Sequence, residues 1–247
     1  MKTDLINVIN VVNTETLIYL QQTYSQLEYS ISASKKKLLY KNNQLSLLTD
    51  SKKIYIDFSD NDIASRINPK LKKCSVVQAV EGRKKDKMLI LDSTAGLGRD
   101  SFTLAARGHN VVSIEKDPYI FLLLKNALER AKQIEDLKNI ADKITLINQD
   151  ANDYIKNNSS LIFDCIYIDP MFPERKKSAK VKQNMQIMHD IAFNDEKGNS
   201  LLIENSIQSQ KTKKLVIKRP VNAEFLSAKA PSSQIKGKSN RFDIYSI

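Results

Sequence analysis

From about residue 88 onward, hydrophobic and polar positions fall into a regular pattern in which short β-branched runs alternate with longer stretches of helical period. The segments "MLILD" (88–92), "NVVSIEKD" (110–117), "KITLINQD" (143–150), "DCIYIDP" (164–170) and "KKLVIKRP" (213–220) predict strands. Between them, 99–107, 118–135 and roughly 180–193 predict helices, the second with Phe121, Leu124, Ala127 and Leu128 as an apolar stripe. Strands alternating with helices predict an α/β fold built on right-handed crossovers, with a parallel sheet covered on both faces. The tail "SSQIKGKSNRFDIYSI" (232–247) has no room for another crossover helix and predicts a closing antiparallel hairpin.

The first 75 residues lack this alternation. "LINVINVV", "IYIDFS" and a lysine cluster at 70–73 predict a small strand-containing appendage over 1–75, and 76–247 is expected to form the main domain. "EGRKKDK" (81–87) is the polar approach to the sheet, and no internal repeat or low-complexity tract is present.

Composition adds a partner class. A 247-residue chain that is 41% hydrophobic can bury a sizeable core. Its 39 Lys and Arg against 28 Asp and Glu give a net charge of +11, which favours an anionic partner such as nucleic acid or a membrane surface. A lysine-rich composition contributes part of that excess on any protein, so motifs must decide. Cys74 and Cys165 are far apart and lack metal-ligand spacing, so neither a disulfide framework nor a metal site is expected. The N-terminus has no signal-peptide h-region, and no segment approaches 18 apolar residues; a cytoplasmic protein without a membrane partner is expected.

In an open parallel sheet, ligands bind outside the carboxyl ends of the strands, where strand order reverses. "DSTAGLGRD" (92–100) lies at such an end: Asp92 closes the strand, and Gly96 and Gly98 let the backbone turn sharply beside a ligand. A dinucleotide fingerprint would place glycine at 101, where this chain has Ser101, so the diphosphate reading weakens. Glu115 ends the second strand, where a carboxylate can accept both ribose hydroxyls of an adenosine-bearing cofactor. Asp150 ends the third, within reach of an adenine edge. Singly, such residues are more often helix N-caps or turn formers; together they outline a nucleoside pocket. His109 and His189 read as structural or surface residues.

The fourth strand runs into "YIDPMFP" (167–173), which resembles the Asp/Asn-Pro-Pro-aromatic loop of methyltransferases acting on exocyclic amines of nucleobases. An exocyclic amine has its lone pair delocalised into the ring, and two acceptors can localise that pair toward an electrophilic methyl. Asp169 and the Pro170 carbonyl can be those acceptors, and Phe172 can stack on the extruded base.

Taken together, "DSTAGLGRD", "IEKDP", "YIDPMFP", "KKSAKVKQNM", "VIKRP" and "NRFDIY" resemble, in order and spacing, the RsmJ family of bacterial methyltransferases over about residues 54–247. The resemblance implies a Rossmann-like class I methyltransferase, with a mostly parallel seven-stranded sheet ending in the hairpin. It implies S-adenosyl-L-methionine as cofactor and the N2 of a guanine in 16S ribosomal RNA, naked or in the 30S subunit, as substrate. By it, Arg99 and Asp100, Glu115 and Lys116, Asp150 and Ala151, and Asp169 contact the cofactor. The chain departs from the family at Lys116, where Arg is usual, and at Asp150-Ala151, where Ser-Ser is usual; "NPKLKK" (68–73) replaces a glycine-rich, Arg-containing segment. For RNA, Lys176, Lys177, Lys180 and Lys182 follow the catalytic loop, and Lys218 and Arg219 end the fifth strand on the same rim, so both groups could hold phosphates. An adenine-N6 methyltransferase, a nicotinamide-dependent dehydrogenase and a non-catalytic RNA-binding protein are the competing readings.

Overall fold

A computed structural model of the chain describes residues 8–50, 52–68, 74–83, 86–158, 160–170, 196–226 and 230–247. It contains two sheets. The first is formed by β1 (Ile9–Val11), β2 (Tyr29–Ile31), β3 (Lys37–Lys41), β4 (Gln44–Leu48) and β5 (Lys53–Ile54), with helix α1 (Thr14–Thr23) between β1 and β2. Its order is β2-β1-β3-β4-β5; β1 runs parallel to both neighbours, and β3, β4 and β5 form an antiparallel meander. Two short helices follow, α2 (Asn61–Ile67) and α3 (Ser75–Glu81). The N-terminal region is therefore richer in helix than its sequence pattern predicts.

The second sheet contains β6 (Leu89–Asp92), β7 (Asn110–Glu115), β8 (Ile144–Asn148), β9 (Cys165–Ile168), β10 (Lys214–Pro220), β11 (Ser233–Lys236) and β12 (Asn240–Ser246). The order is β11-β12-β10-β9-β6-β7-β8, parallel from β8 to β10, with the hairpin β11-β12 antiparallel at the edge. All five parallel strands, β6 to β10, and the hairpin match the sequence pattern. The chain passes from β6 outward to β8, then returns to the other side of β6 as β9. The switch point therefore lies between the carboxyl ends of β6 and β9, at Asp92 and Asp169.

Helices α4 (Arg99–Ala106), α5 (Pro118–Ala131), α6 (Glu135–Ala141), α7 (Ala151–Asn157) and α8 (Glu196–Gln208) complete the chain. The helix predicted over 118–135 ends at Ala131, and α6, which begins at Glu135, is not among the predicted elements. Asp117 starts α5 by accepting from the N–H groups of Tyr119 and Ile120 at 2.8 and 3.1 Å, with Pro118 in the first turn where its missing donor costs nothing. The stripe read from the sequence covers only one face. Tyr119, Ile120, Leu122 and Leu123 are buried as well, because the first sheet covers the other side of the helix. Each such leucine contributes about 1.5–3 kcal/mol of burial. Asn126, also buried, accepts from Leu45 N at 3.0 Å and donates to Tyr19 Oη at 3.0 Å, so the contact is registered by hydrogen bonds.

Other expectations are revised. Asp150 begins a helix absent from the predicted elements, α7, and 196–208 is helical, whereas the helix predicted over 180–193 lies outside the described residues. Glu81, expected in a polar approach, is the last residue of α3 and is buried against His109 Nε2 (3.2 Å) and Arg107 Nε (3.0 Å). His109 is buried and structural; its Nδ1 accepts from Met88 N at 3.2 Å. No helix among the described residues is long and apolar enough to cross a membrane.

Candidate active site

The glycine loop after β6 is shaped by its own backbone. Gly96 and Gly98 both have positive φ, +53° and +71°. At Gly98 a Cβ would lie 2.4 Å from Leu124 Cδ1 on α5 and 3.2 Å from Phe58 Cζ, so a side chain meets both unfavourable backbone and occupied space. Ser101, which replaces the last glycine of a dinucleotide fingerprint, donates to Asp92 Oδ2 at 2.5 Å and accepts from Ser113 Oγ at 2.9 Å. The departure thus has a structural use: it ties α4 to the end of β6. Asp92 is buried, and burial pushes its carboxyl up to about 7 against the hydrogen bonds from Ser101 and Thr94 N; Asp100 and Asp169 raise it further.

Glu115 stands at the end of β7 and, among the described residues, is hydrogen-bonded by two backbone N–H groups. Its Oε2 accepts from Gly96 N at 2.9 Å and its Oε1 from Asp117 N at 2.8 Å. Burial pushes this carboxyl up to about 7, with the two N–H groups pulling the other way. Lys116 is exposed. Asp150 caps α7, its Oδ1 accepting from Asn152 N at 2.8 Å, and Ala151 is buried in the first turn.

At the switch point, Asp169 N donates to Thr94 Oγ1 at 2.7 Å, locking the strand end to the glycine loop. The parallel register of β9 and β10 pairs Ile168 with Ile217 and so sets Lys218 beside Asp169 on one face. Lys218 Nζ donates to Asp169 Oδ2 at 2.6 Å and to Asp100 Oδ2 at 3.2 Å. Asp100 also accepts from the Tyr167 hydroxyl at 2.7 Å and from the Arg66 guanidinium of α2, whose Nε donates to Thr103 Oγ1 at 3.0 Å. Burial pushes Asp100 up, but Lys218 and Arg66 outweigh it and hold the carboxyl below its usual range. Asp169 is raised: burial comes first, Lys218 opposes it, and Asp100 adds a like charge. Lys218 loses to burial and gains more from the two aspartates, so it stays protonated. Burial and Asp100 keep the Tyr167 hydroxyl a donor.

The structure therefore brings Asp92, Asp100, Asp169 and Lys218 together, and places Glu115 and the Asp150-Ala151 pair on successive strand ends beyond them. Arg99 is turned to Asp62 on α2. Pro170 is buried, while Phe172, Lys176, Lys177, Lys180 and Lys182 lie outside the described residues. Lys218 and Arg219 differ from their expected place on a phosphate-binding rim. Lys218 faces the carboxylates, and Arg219, on the opposite face, is buried with its guanidinium donating to Glu224 O at 2.7 Å. Arg66 carried no signal in the sequence, because it lies 34 positions from its partner Asp100.

These residues fit an adenosine-bearing sulfonium. Asp100 and Asp169 are matched by the two cations beside them, Arg66 and Lys218, and Asp92, raised to about 7, adds negative charge above neutral pH, so the site is not basic in a chain of net charge +11. Glu115 has two carboxylate oxygens that can accept from a ribose diol. Among the described residues no cluster of three or more His, Cys, Asp or Glu could hold a metal ion.

A seven-stranded sheet of this order, with a glycine loop and strand-end carboxylates at its switch point, defines a Rossmann-like methyltransferase. The protein family described as "Putative SAM-dependent methyltransferase" matches residues 21–247. A crystal structure of a SAM-dependent methyltransferase from Neisseria gonorrhoeae superposes with a TM-score of 0.73 at 27% identity, covering 96% of this chain and 95% of that one. Ribosomal RNA small subunit methyltransferase J of Francisella philomiragia is 63% identical over 90% of this chain and 92% of its own length. The same-named protein of Francisella tularensis subsp. novicida is 58% identical over 97% and 99%. The chain belongs to the family of S-adenosylmethionine-dependent methyltransferases that these relatives represent.

Proposed function

We propose that this protein methylates the exocyclic N2 of a guanine in 16S ribosomal RNA of the small subunit, working in the cytoplasm on the RNA or the 30S particle. The observation that carries the reading is Asp169: a carboxylate at the switch point, 34% open to solvent, preceding the buried Pro170 in a chain 63% identical to a named small-subunit rRNA methyltransferase. In this reading 76–247 is the catalytic domain and 1–75 its appendage, which lends Arg66 to the site.

Glu115 holds the ribose, Asp150 and Ala151 flank the adenine, and Gly96, Gly98, Arg99, Asp100, Lys116 and Asp92 shape the rest of the cofactor pocket. When bound, S-adenosylmethionine supplies an electrophilic methyl on a sulfonium that leaves as a thioether. The guanine is drawn out of its stack against Phe172. Asp169 and the Pro170 carbonyl accept from the amine and localise its lone pair, and the nitrogen releases one proton to water as it is methylated. Positioning supplies most of the rate. Lys176, Lys177, Lys180 and Lys182 hold phosphates around the extruded base.

The test is direct. Purified protein, labelled S-adenosylmethionine and 16S RNA or 30S subunits from cells lacking the enzyme should yield N2-methylguanosine at one site, read by nuclease digestion and mass spectrometry. N6-methyladenosine as the product would replace the guanine reading with the adenine one, and binding without methylation would favour a non-catalytic RNA-binding protein.

A further inference from the structure

We propose that Lys218 is a positioning residue for methyl transfer, its ammonium holding the Asp169 carboxylate as an acceptor for the guanine amine. The inference rests on the proposed role of Asp169 and deepens it.

Three observations support it. Lys218 Nζ bridges two carboxylates from different elements, 2.6 Å from Asp169 on the β9 end and 3.2 Å from Asp100 on α4. Its side chain is only 23% exposed, so the charge is spent inside the site rather than offered to an RNA backbone. And the bridge takes one oxygen of Asp169, Oδ2, while the carboxylate remains one-third open toward its surroundings.

The groups that face Asp169 define what Lys218 does. Asp100 from α4 and Asp92 from β6 are acidic, Tyr167 from β9 is a neutral donor already bound to Asp100, and Arg66 from α2 is committed to Asp100 and Thr103. Among the described residues, removing Lys218 leaves Asp169 beside two acidic neighbours with no cation bound to it directly. It would then take up a proton at higher pH, and a protonated carboxyl is a poor acceptor for the amine. A compact ammonium suits the bridge better than a planar guanidinium, which would have to fork between the β9 end and the first turn of α4.

The experiment measures single-turnover methyl transfer to 30S subunits at saturating S-adenosylmethionine from pH 5.5 to 9. The proteins compared are the parent, Lys218→Met, Lys218→Gln, Lys218→Arg and Asp169→Ala. In the Met and Gln variants the rate near pH 7 should fall about 10- to 100-fold, with the acid limb of the profile moved up by about one unit or more and partial recovery at alkaline pH. Arg should restore the position of the limb and part of the rate. RNA affinity and its salt dependence should match the parent. A folded Met or Gln variant whose profile superimposes on the parent's, or that loses rate equally at every pH, overturns the proposal. A salt slope that drops by about one instead assigns Lys218 to a phosphate. If Asp169→Ala keeps the parent rate, the reading of Asp169 fails, and the proposal with it. Loss in Asp169→Ala without a displaced limb in either Lys218 variant overturns the Lys218 proposal alone.

Discussion

The two ends of the pocket hold their carboxylates by different means. At the end of β7, Glu115 meets two backbone N–H groups, and burial pushes it up to about 7. At the ends of β9 and β10, Asp100 and Asp169 meet the full charges of Lys218 and Arg66, and Asp100 is held below its usual range. Backbone dipoles fix the direction of a carboxylate without fixing its charge; buried cations fix both. The β7 end is thus left to respond to pH and to ligand, whereas Asp100 at the β9-β10 end is charged in advance. Asp169 falls between them, because the one cation bound to it among the described residues, Lys218, is shared with Asp100.

The sharpest way to break this comparison is Asp169→Ala. Losing one preorganised acceptor at the reacting amine should lower single-turnover methyl transfer about 10²- to 10³-fold under saturating S-adenosylmethionine, with RNA affinity changed far less. A role limited to the strand-end turn predicts instead a lower melting temperature and an unchanged rate in the folded fraction.

Gly98→Ala tests the loop that joins the two ends. With φ at +71° and Leu124 Cδ1 2.4 Å from the new Cβ, it should destabilise the protein by about 2–4 kcal/mol in chemical denaturation. A cost below about 1 kcal/mol would show that α5 yields at this point.

Glu115→Ala should weaken S-adenosylmethionine binding by about 1–3 kcal/mol in calorimetry while the fold survives. An unchanged dissociation constant would remove Glu115 from the pocket.

The smallest effect belongs to pH. A carboxyl at about 7 is mostly charged at pH 8 and mostly protonated at pH 6, and the charged form is the better acceptor for ribose hydroxyls. Affinity for S-adenosylmethionine should therefore fall about tenfold on acidification across that range, by the 1.36 kcal/mol that one unit represents. Glu115→Gln should flatten the response. If the Gln variant keeps the full slope, Asp92, also raised to about 7, is the titrating group.

Much of the second sheet was legible because its signals are local. Short, near-continuous apolar runs such as "LILD" and "NVVSIE" mark strands buried on both faces, and the two glycines of "TAGLGRD" mark a turn that other residues resist. Glu115 could be named from its place after a strand. Asp150 could be named too, yet its side chain caps α7, the ordinary use of such a residue. The end of α5 at Ala131 and the separate helix α6 were hidden, since no Gly or Pro marks the break at 132–134.

By itself, the sequence determined the alternating α/β order, the closing hairpin, the glycine loop and the acidic residues at the strand ends, all of which follow from backbone sterics and side-chain period over a few neighbours. Only the tertiary structure decided which charges meet. Lys218 could equally have faced phosphates until the β9-β10 register set it beside Asp169, and Arg66 acquired its role when α2 packed on α4. The reason is physical: ion pairing depends on distance through folded space, and pairs such as Arg66 with Asp100 or Lys218 with Asp169, 34 and 49 positions apart, leave no periodic trace in the chain.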